Sequence, residues 1–204
     1  MYLFGASGHG KVIKEILHSN GVKLEAFIDD NPKVNKCSGH TVLHEYTGLS
    51  PIIVSIGVNH IRKIVVEKLK AKAKAHNKKL DFATAIHPSA VVSPSAKIGE
   101  GTVVMAGAVI NADVVIGKHC IINTGATIDH DCVIDDYCHI APGVNISGAT
   151  HIGESTWVGV GSCVIQCLKI GKNCMIGAGS VVVKDILDNS IAYGNPCKVV
   201  RSNI

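Results

Sequence analysis

Two histidines and four aspartates lie close together in the segment GATIDHDCVIDDYCHIAPG, residues 125–143, among small and β-branched residues. Small and β-branched residues are typical of buried strands, in which charged side chains are rare. Histidine is the side chain best suited to take up a proton near neutral pH, so His130 and His139 are candidate general bases. They are also compatible with polar positions on the outside of a repetitive scaffold.

A second candidate site is the glycine-rich loop GASGHG, residues 5–10, between a predicted strand and a predicted helix. Free N–H groups at the start of a helix attract phosphate, so this loop is suited to a phosphate-containing ligand. Asp29 and Asp30 follow about twenty residues later, where dinucleotide-binding domains place an acidic residue. The loop is not a GxGxxG motif, however, and NAD remains only one of the phosphate ligands that it could bind.

The elements that must position these residues fall into two regions. The first is an α/β region over residues 1–84, in which strand-like and helix-like segments alternate. We predict a strand ending at Phe4, a helix closed near Gly21, strands in KLEAFIDD, TVLHEY and PIIVSIG, and an amphipathic helix in NHIRKIVVEKLKAKAKAHNKK. This alternation predicts a small Rossmann-like domain, with a parallel sheet and helices packed on it.

The second region, residues 85–204, has a period of six. Every sixth residue from Ile86 to Val182 is Ile or Val, without an insertion, and the residue four positions further on is mostly small or β-branched. This periodicity predicts a parallel β-helix, in which each hexad is a short strand plus a turn and the stacked coils bury an aliphatic core. The small inward positions include four cysteines, which we expect to fill the core: Cys120, Cys132, Cys138 and Cys174.

Composition excludes several classes of function. The net charge of +4 is spread along the chain and only 4% of residues are aromatic, which argues against nucleic-acid binding. The eight cysteines form no CxxC pair and no signal peptide is recognisable, so we expect reduced thiols in the cytoplasm. No apolar run approaches the ~18 residues of a membrane span, so we expect a soluble protein.

The hexads IGEGTV, IGKHCI, IGESTW, IGKNCM and IGAGSV resemble those of the hexapeptide-repeat acyltransferases. Together with FGASGHGKV, FIDDN, IGVNHIRK and YGNPCKVVR, they make nearly the whole chain similar to sugar O-acyltransferases of the sialic-acid O-acetyltransferase type, a group close to bacterial UDP-4-amino-sugar N-acetyltransferases. The resemblance implies a left-handed β-helix, a homotrimer, acetyl-CoA as co-substrate and a nucleotide-sugar substrate. It implies no metal.

With three hexads per coil, residues eighteen apart stack on one face, and His130 lies directly beneath Gly148. The resemblance implies that His130 is the general base and that Asp131, where the family often has glutamate, orients its imidazole. It also implies that the N–H of Gly148 faces the thioester oxygen.

The resemblance also assigns binding residues. For the nucleotide sugar they are Ser7, Gly8 and His9 on the sugar-phosphate side, Asp29, Asp30 and Asn31 on the uridine side, and Gly57, Asn59, Arg62 and Asn123. For acetyl-CoA they are His139, Gly148, Val160, Ala178 and Lys198, with Lys184 and Arg201 as further cations near its phosphates. Trp157 and Tyr137 are expected at subunit interfaces, and Cys197 stands where the family usually has alanine.

Four alternatives remain open. The acceptor could be the hydroxyl of sialic acid or a related sugar in place of the amine of a nucleotide-linked 4-amino sugar. A cysteine nucleophile is a rival mechanism, although the hexad register places Cys132 and Cys138 inside. A zinc-dependent carbonic anhydrase uses the same fold and three histidines, but His119, His130, His139 and His151 occupy different phases of the hexad. The fourth alternative is that the protein binds a nucleotide sugar as a scaffold and has no catalytic activity.

Overall fold

The N-terminal domain is a five-stranded sheet with two helices, as described by a computed structural model of residues 1–203. Its elements are β1 (Tyr2–Phe4), α1 (Gly8–Ser19), β2 (Ala26–Ile28), β3 (Lys36–Cys37), β4 (His40–Leu43), β5 (Ile52–Val54) and α2 (Asn59–Ala75). The strand order is β3-β4-β2-β1-β5, and every pair is parallel except the β3–β4 hairpin. The predicted parallel sheet is therefore confirmed. The sequence pattern did not predict β3, which is only two residues long.

The two helices cover opposite sides of this sheet. On α1, Ile13, Ile16 and Leu17 are buried in one apolar cluster, and on α2, Val65, Val66 and Leu69 are buried in another. The central strands are buried along their whole length, or nearly so, which explains their continuous apolar runs.

The C-terminal domain consists of two-residue strands stacked on three faces. The first face contains Val91–Val92, Val109–Ile110, Thr127–Ile128, Asn145–Ile146, Cys163–Val164 and Val181–Val182. The second contains Lys97–Ile98, Val115–Ile116, Val133–Ile134, His151–Ile152 and Lys169–Ile170. The third contains Ala85–Ile86, Val103–Val104, Ile121–Ile122, His139–Ile140, Trp157–Val158 and Met175–Ile176, and is extended by Ser190–Tyr193 and an antiparallel tail strand, Lys198–Ser202.

Successive strands of one face pair in parallel, and their partners are eighteen residues apart, as in Thr127 with Asn145 and His139 with Trp157. The predicted coil of three hexads is therefore confirmed. The inward Ile and Val residues form one continuous core, and Cys120, Cys132, Cys138 and Cys174 are buried in it as predicted. At the corner turns, every sixth residue from 101 to 179 has a positive φ in the left-handed region. Some of these residues are glycine and others are not, such as Asp131 (φ 59°).

The N-terminal domain packs against the third face of the β-helix. Outward residues Val103 and Ile121 of that face share an apolar cluster with Leu3, Ile13 and Ile53 of the N-terminal domain. In a three-sided prism, the corner between the first and second faces lies opposite the third face and so faces away from this domain. Within residues 1–203, neither helix has the length and apolar character that a membrane crossing requires.

Candidate active site

His130 lies in the turn that joins a first-face strand, Thr127–Ile128, to a second-face strand, Val133–Ile134. Ile128 and Cys132 on either side of this turn point into the core and are fully buried. The turn residues between them are therefore directed outward, and 59% of the His130 side chain and 61% of the Asp131 side chain are exposed. The hexad pattern thus presents a polar pair to solvent at the corner opposite the N-terminal domain.

The two side chains form a dyad. Nδ1 of His130 lies 2.7 Å from Oδ2 of Asp131, so the carboxylate orients the ring and leaves Nε2 free. The hydrogen bond to Asp131 raises the pKa of His130 above its usual value, and the nearby charge of Asp129 adds to this effect. Aspartate is therefore long enough to make the contact that a glutamate would make. The ring is set up to accept a proton at Nε2.

Asp129 was not among the sequence-predicted site residues. Its Oδ1 accepts hydrogen bonds from the backbone N–H of His130 at 2.8 Å and from Nδ2 of Asn111 at 2.9 Å. Asp129 therefore fixes the backbone that carries the base. The signal was present in the sequence, because Asn111 and Asp129 are eighteen residues apart and must stack on successive coils.

Gly148 lies directly over the imidazole, as the coil register predicts. A Cβ placed on Gly148 would be 2.7 Å from both Cε1 and Nε2 of His130, so only glycine leaves room for the ring in this position. Within residues 1–203 the backbone N–H of Gly148 donates no hydrogen bond, while its carbonyl accepts one from the N–H of Cys167 at 2.9 Å. Gly148 thus packs against the ring that carries the free Nε2 and has an unpaired N–H, the kind of donor that an oxyanion site requires.

The glycine loop is held against the sheet by Asp29. Oδ2 of Asp29 accepts the N–H of Ala6 at 2.8 Å, and Oδ1 accepts the N–H of Asn31 at 2.9 Å. Gly5 has φ +117°, and a Cβ there would be 2.8 Å from the carbonyl oxygen of Ser55, so this turn requires glycine. The loop leaves Ser7 and Gly8 exposed at the start of α1, where Ser7 makes no side-chain capping bond.

Asp29 and Asp30, the two acids that follow β2, both have carboxylates that make contacts within the protein. Asp29 uses both carboxylate oxygens to order the loops, and Asp30 forms an ion pair with Lys68 at 2.7 Å. Asn31 is exposed and accepts the N–H of Lys33. Their contact with uridine stays a prediction, and Asn31 is the member of the three with a side-chain amide free to donate.

His139, Asn123 and Gly57 meet on the third face, beside the glycine loop. Nδ1 of His139 lies 3.2 Å from the carbonyl oxygen of Gly57, which can only accept, so this nitrogen carries the proton. Nε2 then accepts the Nδ2–H of Asn123 at 3.0 Å. The ring of His9 lies 6.5 Å from that of His139, and its Nε2 is buried without a partner within residues 1–203. Four of the sequence-predicted binding residues are therefore neighbours.

Burial keeps both of these histidines neutral. Desolvation lowers the pKa of His139 to about 3 and that of His9 to about 4, and the charge of Arg62 adds to the effect at each. His139 is only 5% exposed, and its ring packs against that of Trp157 with centroids 4.2 Å apart. A contact between His139 and acetyl-CoA stays a prediction, and in one chain only the small exposed edge of this ring is open to a ligand.

The structure contradicts a direct substrate contact for Arg62 and Asn59. Arg62 is 1% exposed, and its guanidinium donates to six oxygen atoms of the surrounding protein. Asn59 is 6% exposed; its amide donates to the carbonyls of Ser155 and Thr156, and its oxygen accepts from Arg62. Every polar atom of both side chains is engaged, so the two residues join the domains.

The expected interface residues also lie inside one chain. Tyr137 is 6% exposed, stacks on His119 with ring centroids 5.3 Å apart, and has its hydroxyl 3.5 Å from Glu67 of α2. Trp157 is half-buried against His139. The prediction that both are subunit contacts is therefore wrong for Tyr137 and unsupported for Trp157, because the N-terminal domain covers the face that carries them.

The remaining residues expected to bind acetyl-CoA are accessible. Val160, Ala178, Lys184, Lys198 and Arg201 are all exposed, Val160 by 53%. Cys197 is 9% exposed and packs at the end of the β-helix core, so a thiol is accommodated where the family usually has a methyl group.

The cysteines near the dyad are unsuited to act as nucleophiles. Cys132 is fully buried, its Sγ donates to the carbonyl of Ser147 at 3.2 Å, and burial raises its pKa. Burial likewise raises the pKa of Cys138 well above its usual value. The reactive species of cysteine is the thiolate, which these sites disfavour. Among residues 1–203, no three His, Cys, Asp or Glu side chains are close enough together to hold a metal ion.

Family comparison covers both domains. Residues 1–69 match the PglD N-terminal domain, and residues 113–148 and 149–184 match the bacterial transferase hexapeptide family of six repeats. A curated relative, UDP-N-acetylbacillosamine N-acetyltransferase of Bacillus subtilis, is 41% identical over 109 residues, or 48% of this chain and 48% of that protein. The matched segment thus spans about half the length of this relative.

Solved structures match nearly the whole chain. A variant of perosamine N-acetyltransferase from Caulobacter crescentus, in complex with CoA and GDP-perosamine, is 38% identical, covers 98% of this chain and 96% of its own, and has a TM-score of 0.92. The acetyltransferase domain of PglB from Neisseria gonorrhoeae, in complex with acetyl coenzyme A, is 38% identical, covers 98% of both chains and has a TM-score of 0.88. These likenesses confirm the predicted fold, a Rossmann-like domain followed by a left-handed β-helix.

Proposed function

Since the chain belongs to the hexapeptide-repeat transferases that carry a PglD-type N-terminal domain, we propose that it transfers the acetyl group of acetyl-CoA to the amine of a nucleotide-linked 4-amino sugar. We infer a role in bacterial glycan synthesis and a cytoplasmic location, where acetyl-CoA and nucleotide sugars are made. The observation that carries the proposal is the His130–Asp131 dyad beneath the free N–H of Gly148.

In the proposed reaction the acceptor amine attacks the thioester carbonyl of acetyl-CoA. Nε2 of His130 takes a proton from the nitrogen as the C–N bond forms, and Asp131 stabilises the resulting imidazolium. The N–H of Gly148 donates to the tetrahedral oxyanion. The C–S bond then breaks and CoA leaves as a thiolate, which takes a proton from His130 or from water. The buried thiols of Cys132 and Cys138 support direct transfer without an acyl-enzyme.

An amine acceptor is favoured over the hydroxyl of sialic acid. Three of the solved structures that match over nearly the whole chain are in complex with GDP-perosamine, and the curated relative is named for UDP-N-acetylbacillosamine. The exposed start of α1 at Ser7 and Gly8 is suited to the phosphates of a nucleotide sugar, which sialic acid itself lacks.

We further propose that the site is shared between copies of the chain in a homotrimer. His130 is at the corner opposite the third face, whereas the glycine loop, Asn123 and His139 lie at that third face. A single nucleotide sugar cannot bind the loop and reach His130 of the same chain across the whole β-helix. It can do so when one copy supplies the loop and its neighbour supplies the dyad.

The test is a thiol-release assay with acetyl-CoA and a panel of acceptors: UDP-, dTDP- and GDP-linked 4-amino sugars, and free sialic acid. We expect CoA release with at least one nucleotide-linked amino sugar, and a product whose mass has increased by one acetyl group on nitrogen. Release with sialic acid alone would establish the O-acetyltransferase instead. If the protein binds a nucleotide sugar but releases no CoA from acetyl-CoA with any acceptor, the non-catalytic nucleotide-sugar-binding scaffold is the remaining alternative.

A further inference from the structure

Arg62 is the most extensively hydrogen-bonded side chain at the junction of the two domains. Its Nε donates to the carbonyl of His119 at 2.8 Å, and its Nη2 donates to the carbonyls of Tyr137 at 2.8 Å and Cys138 at 3.3 Å. All three acceptors belong to a corner of the β-helix. Arg62 itself is on α2 of the N-terminal domain, so one buried guanidinium connects the two domains.

The other donors of Arg62 hold the loop that follows β5. Nη1 donates to the carbonyls of Ile56 at 2.9 Å and Gly57 at 3.0 Å. The carbonyl of Gly57 also accepts the Nδ1–H of His139 at 3.2 Å. Gly57 is therefore fixed from two directions, by a residue of its own domain and by a residue of the third face.

The hydrogen bonds continue beyond His139. Its Nε2 accepts from Asn123, and the oxygen of Asn123 accepts the backbone N–H of Thr124 at 2.8 Å, which prevents the amide from turning over. The order Arg62, Gly57, His139, Asn123 thus admits only one set of donors and acceptors. If Arg62 releases Gly57, the Nδ1–H of His139 loses its acceptor, while Asn123 still donates to Nε2.

We propose that Arg62 is a positioning residue for the nucleotide-sugar site: through the carbonyl of Gly57 it fixes both the loop after β5 and the orientation of the His139 ring, whose Nδ1–H donates to that carbonyl. This inference rests on the proposed function, because it assumes that Gly57, Asn123 and the neighbouring glycine loop bind the nucleotide sugar. It differs from the role first expected for Arg62, since the side chain acts on the site from inside the protein without touching the substrate.

Lysine cannot replace the guanidinium here, because its three donors share one nitrogen, whereas the acceptors of Arg62 are spread around Nε, Nη1 and Nη2. We expect Arg62→Lys to raise the KM for the nucleotide sugar at least about fivefold and to leave the KM for acetyl-CoA within about twofold. His139→Leu should raise the same KM. His139→Gln should restore much of the affinity, because its amide can donate to Gly57 and accept from Asn123. The double variant R62K/H139L should be no worse than the poorer single variant.

Lys63→Met is the matched control. Lys63 is also on α2 and also reaches the β-helix, through an exposed ion pair with Glu154 at 2.5 Å, but it has no contact with Gly57 or His139. We expect unchanged KM values for both substrates. If K63M and R62K both raise the KM values for both substrates, the domain junction has loosened generally and the proposal is overturned.

Two further measurements keep the inference testable. NMR of histidine-labelled protein should show the Nδ1–H resonance of His139 in the wild type, and this resonance should be shifted or lost through exchange in R62K, whether or not turnover occurs; an unchanged resonance would overturn the proposal. If wild-type protein acetylates no acceptor, binding of UDP and GDP replaces KM, so failure of the proposed function is seen separately. If R62K does not fold, H139L and H139Q are compared instead. Equal affinities of these two variants for the nucleotide sugar, or for UDP and GDP, overturn the proposal.

Discussion

The contact between Gly148 and His130 allows a quantitative prediction for the variant Gly148→Ala. The added Cβ would be 2.7 Å from Cε1 and Nε2 of His130, whereas ordinary van der Waals contact begins at 3.4 Å, so the ring must move by at least about 0.7 Å. The backbone cannot yield instead, because hydrogen bonds from Cys167 to Gly148 and from Ala149 to His130 tie three coils together at 2.9 Å each. The ring is 59% exposed and can swing outward.

Outward movement separates Nε2 from the N–H of Gly148 and strains the 2.7 Å contact with Asp131. A misplacement of about 1 Å in a catalytic group can reduce the rate about 100-fold. We therefore expect kcat to fall about 100-fold, measured by CoA release at saturating acetyl-CoA and nucleotide sugar. The melting temperature should change little, since an exposed side chain relieves the clash.

Two controls separate this mechanism from general damage to the turn. Ala149→Gly changes the next residue, whose φ of 54° already suits glycine, and should keep kcat within about threefold. In a His130→Ala background, in which no turnover is expected, adding Gly148→Ala should leave the melting temperature and the Kd for acetyl-CoA unchanged, because the clash has been removed. A G148A enzyme with wild-type kcat would refute the assignment of the dyad, whereas a loss of acetyl-CoA affinity on adding G148A to H130A would show general damage to the turn.

Three more predictions concern the same site. His130→Ala should abolish turnover and leave the Kd for acetyl-CoA nearly unchanged, as measured by calorimetry; retained turnover would identify another base. Asp131→Asn should lower kcat and shift the acid limb of the pH–rate profile to lower pH. The base must be deprotonated to act, and the hydrogen bond to Asp131 raises the pKa of His130, so loss of this bond lowers the pKa. An acid limb that does not shift would show that a group other than His130 produces it. Mixing H130A with an inactive Gly8→Trp variant under conditions of subunit exchange should recover activity, because mixed trimers can contain one intact shared site; no recovery would place the site within one chain.

The sequence predicted the β-helix in detail because its constraint is strictly local. Each hexad must direct one Ile or Val and one small residue inward, so the phase of every residue follows from counting. This is why the stacking of His130 under Gly148 and the burial of Cys132 could be deduced before the structure. Short pairings such as β3 with β4 depend on a turn between exposed residues and leave no comparable periodic signal.

The part of the site that could not be predicted depends on which face the N-terminal domain covers. An outward position in the hexad is exposed on the first and second faces, where Val91 is 63% and Val115 is 40% exposed. On the third face the same position is buried where the N-terminal domain covers it, as for His139 and Ile121. Periodicity cannot distinguish the three faces. The outward phase of Tyr137 therefore suggested another subunit, and the family resemblance assigned Arg62 and Asn59 to the substrate, whereas all three fill the junction between the domains.

The two histidines of the segment GATIDHDCVIDDYCHIAPG thus differ through their surroundings alone. The exposed ring of His130 gains a carboxylate partner, which raises its pKa and makes it a stronger base. The buried ring of His139 gains a carbonyl and an amide, and desolvation lowers its pKa to about 3, so it stays neutral at any pH at which the enzyme would work. An imidazole with so low a pKa, whose Nε2 already accepts from Asn123, can hold a loop in place but is a poor acceptor for a substrate proton. Acid–base chemistry at neutral pH is therefore left to His130, and the pH–rate profile should report one histidine, not two.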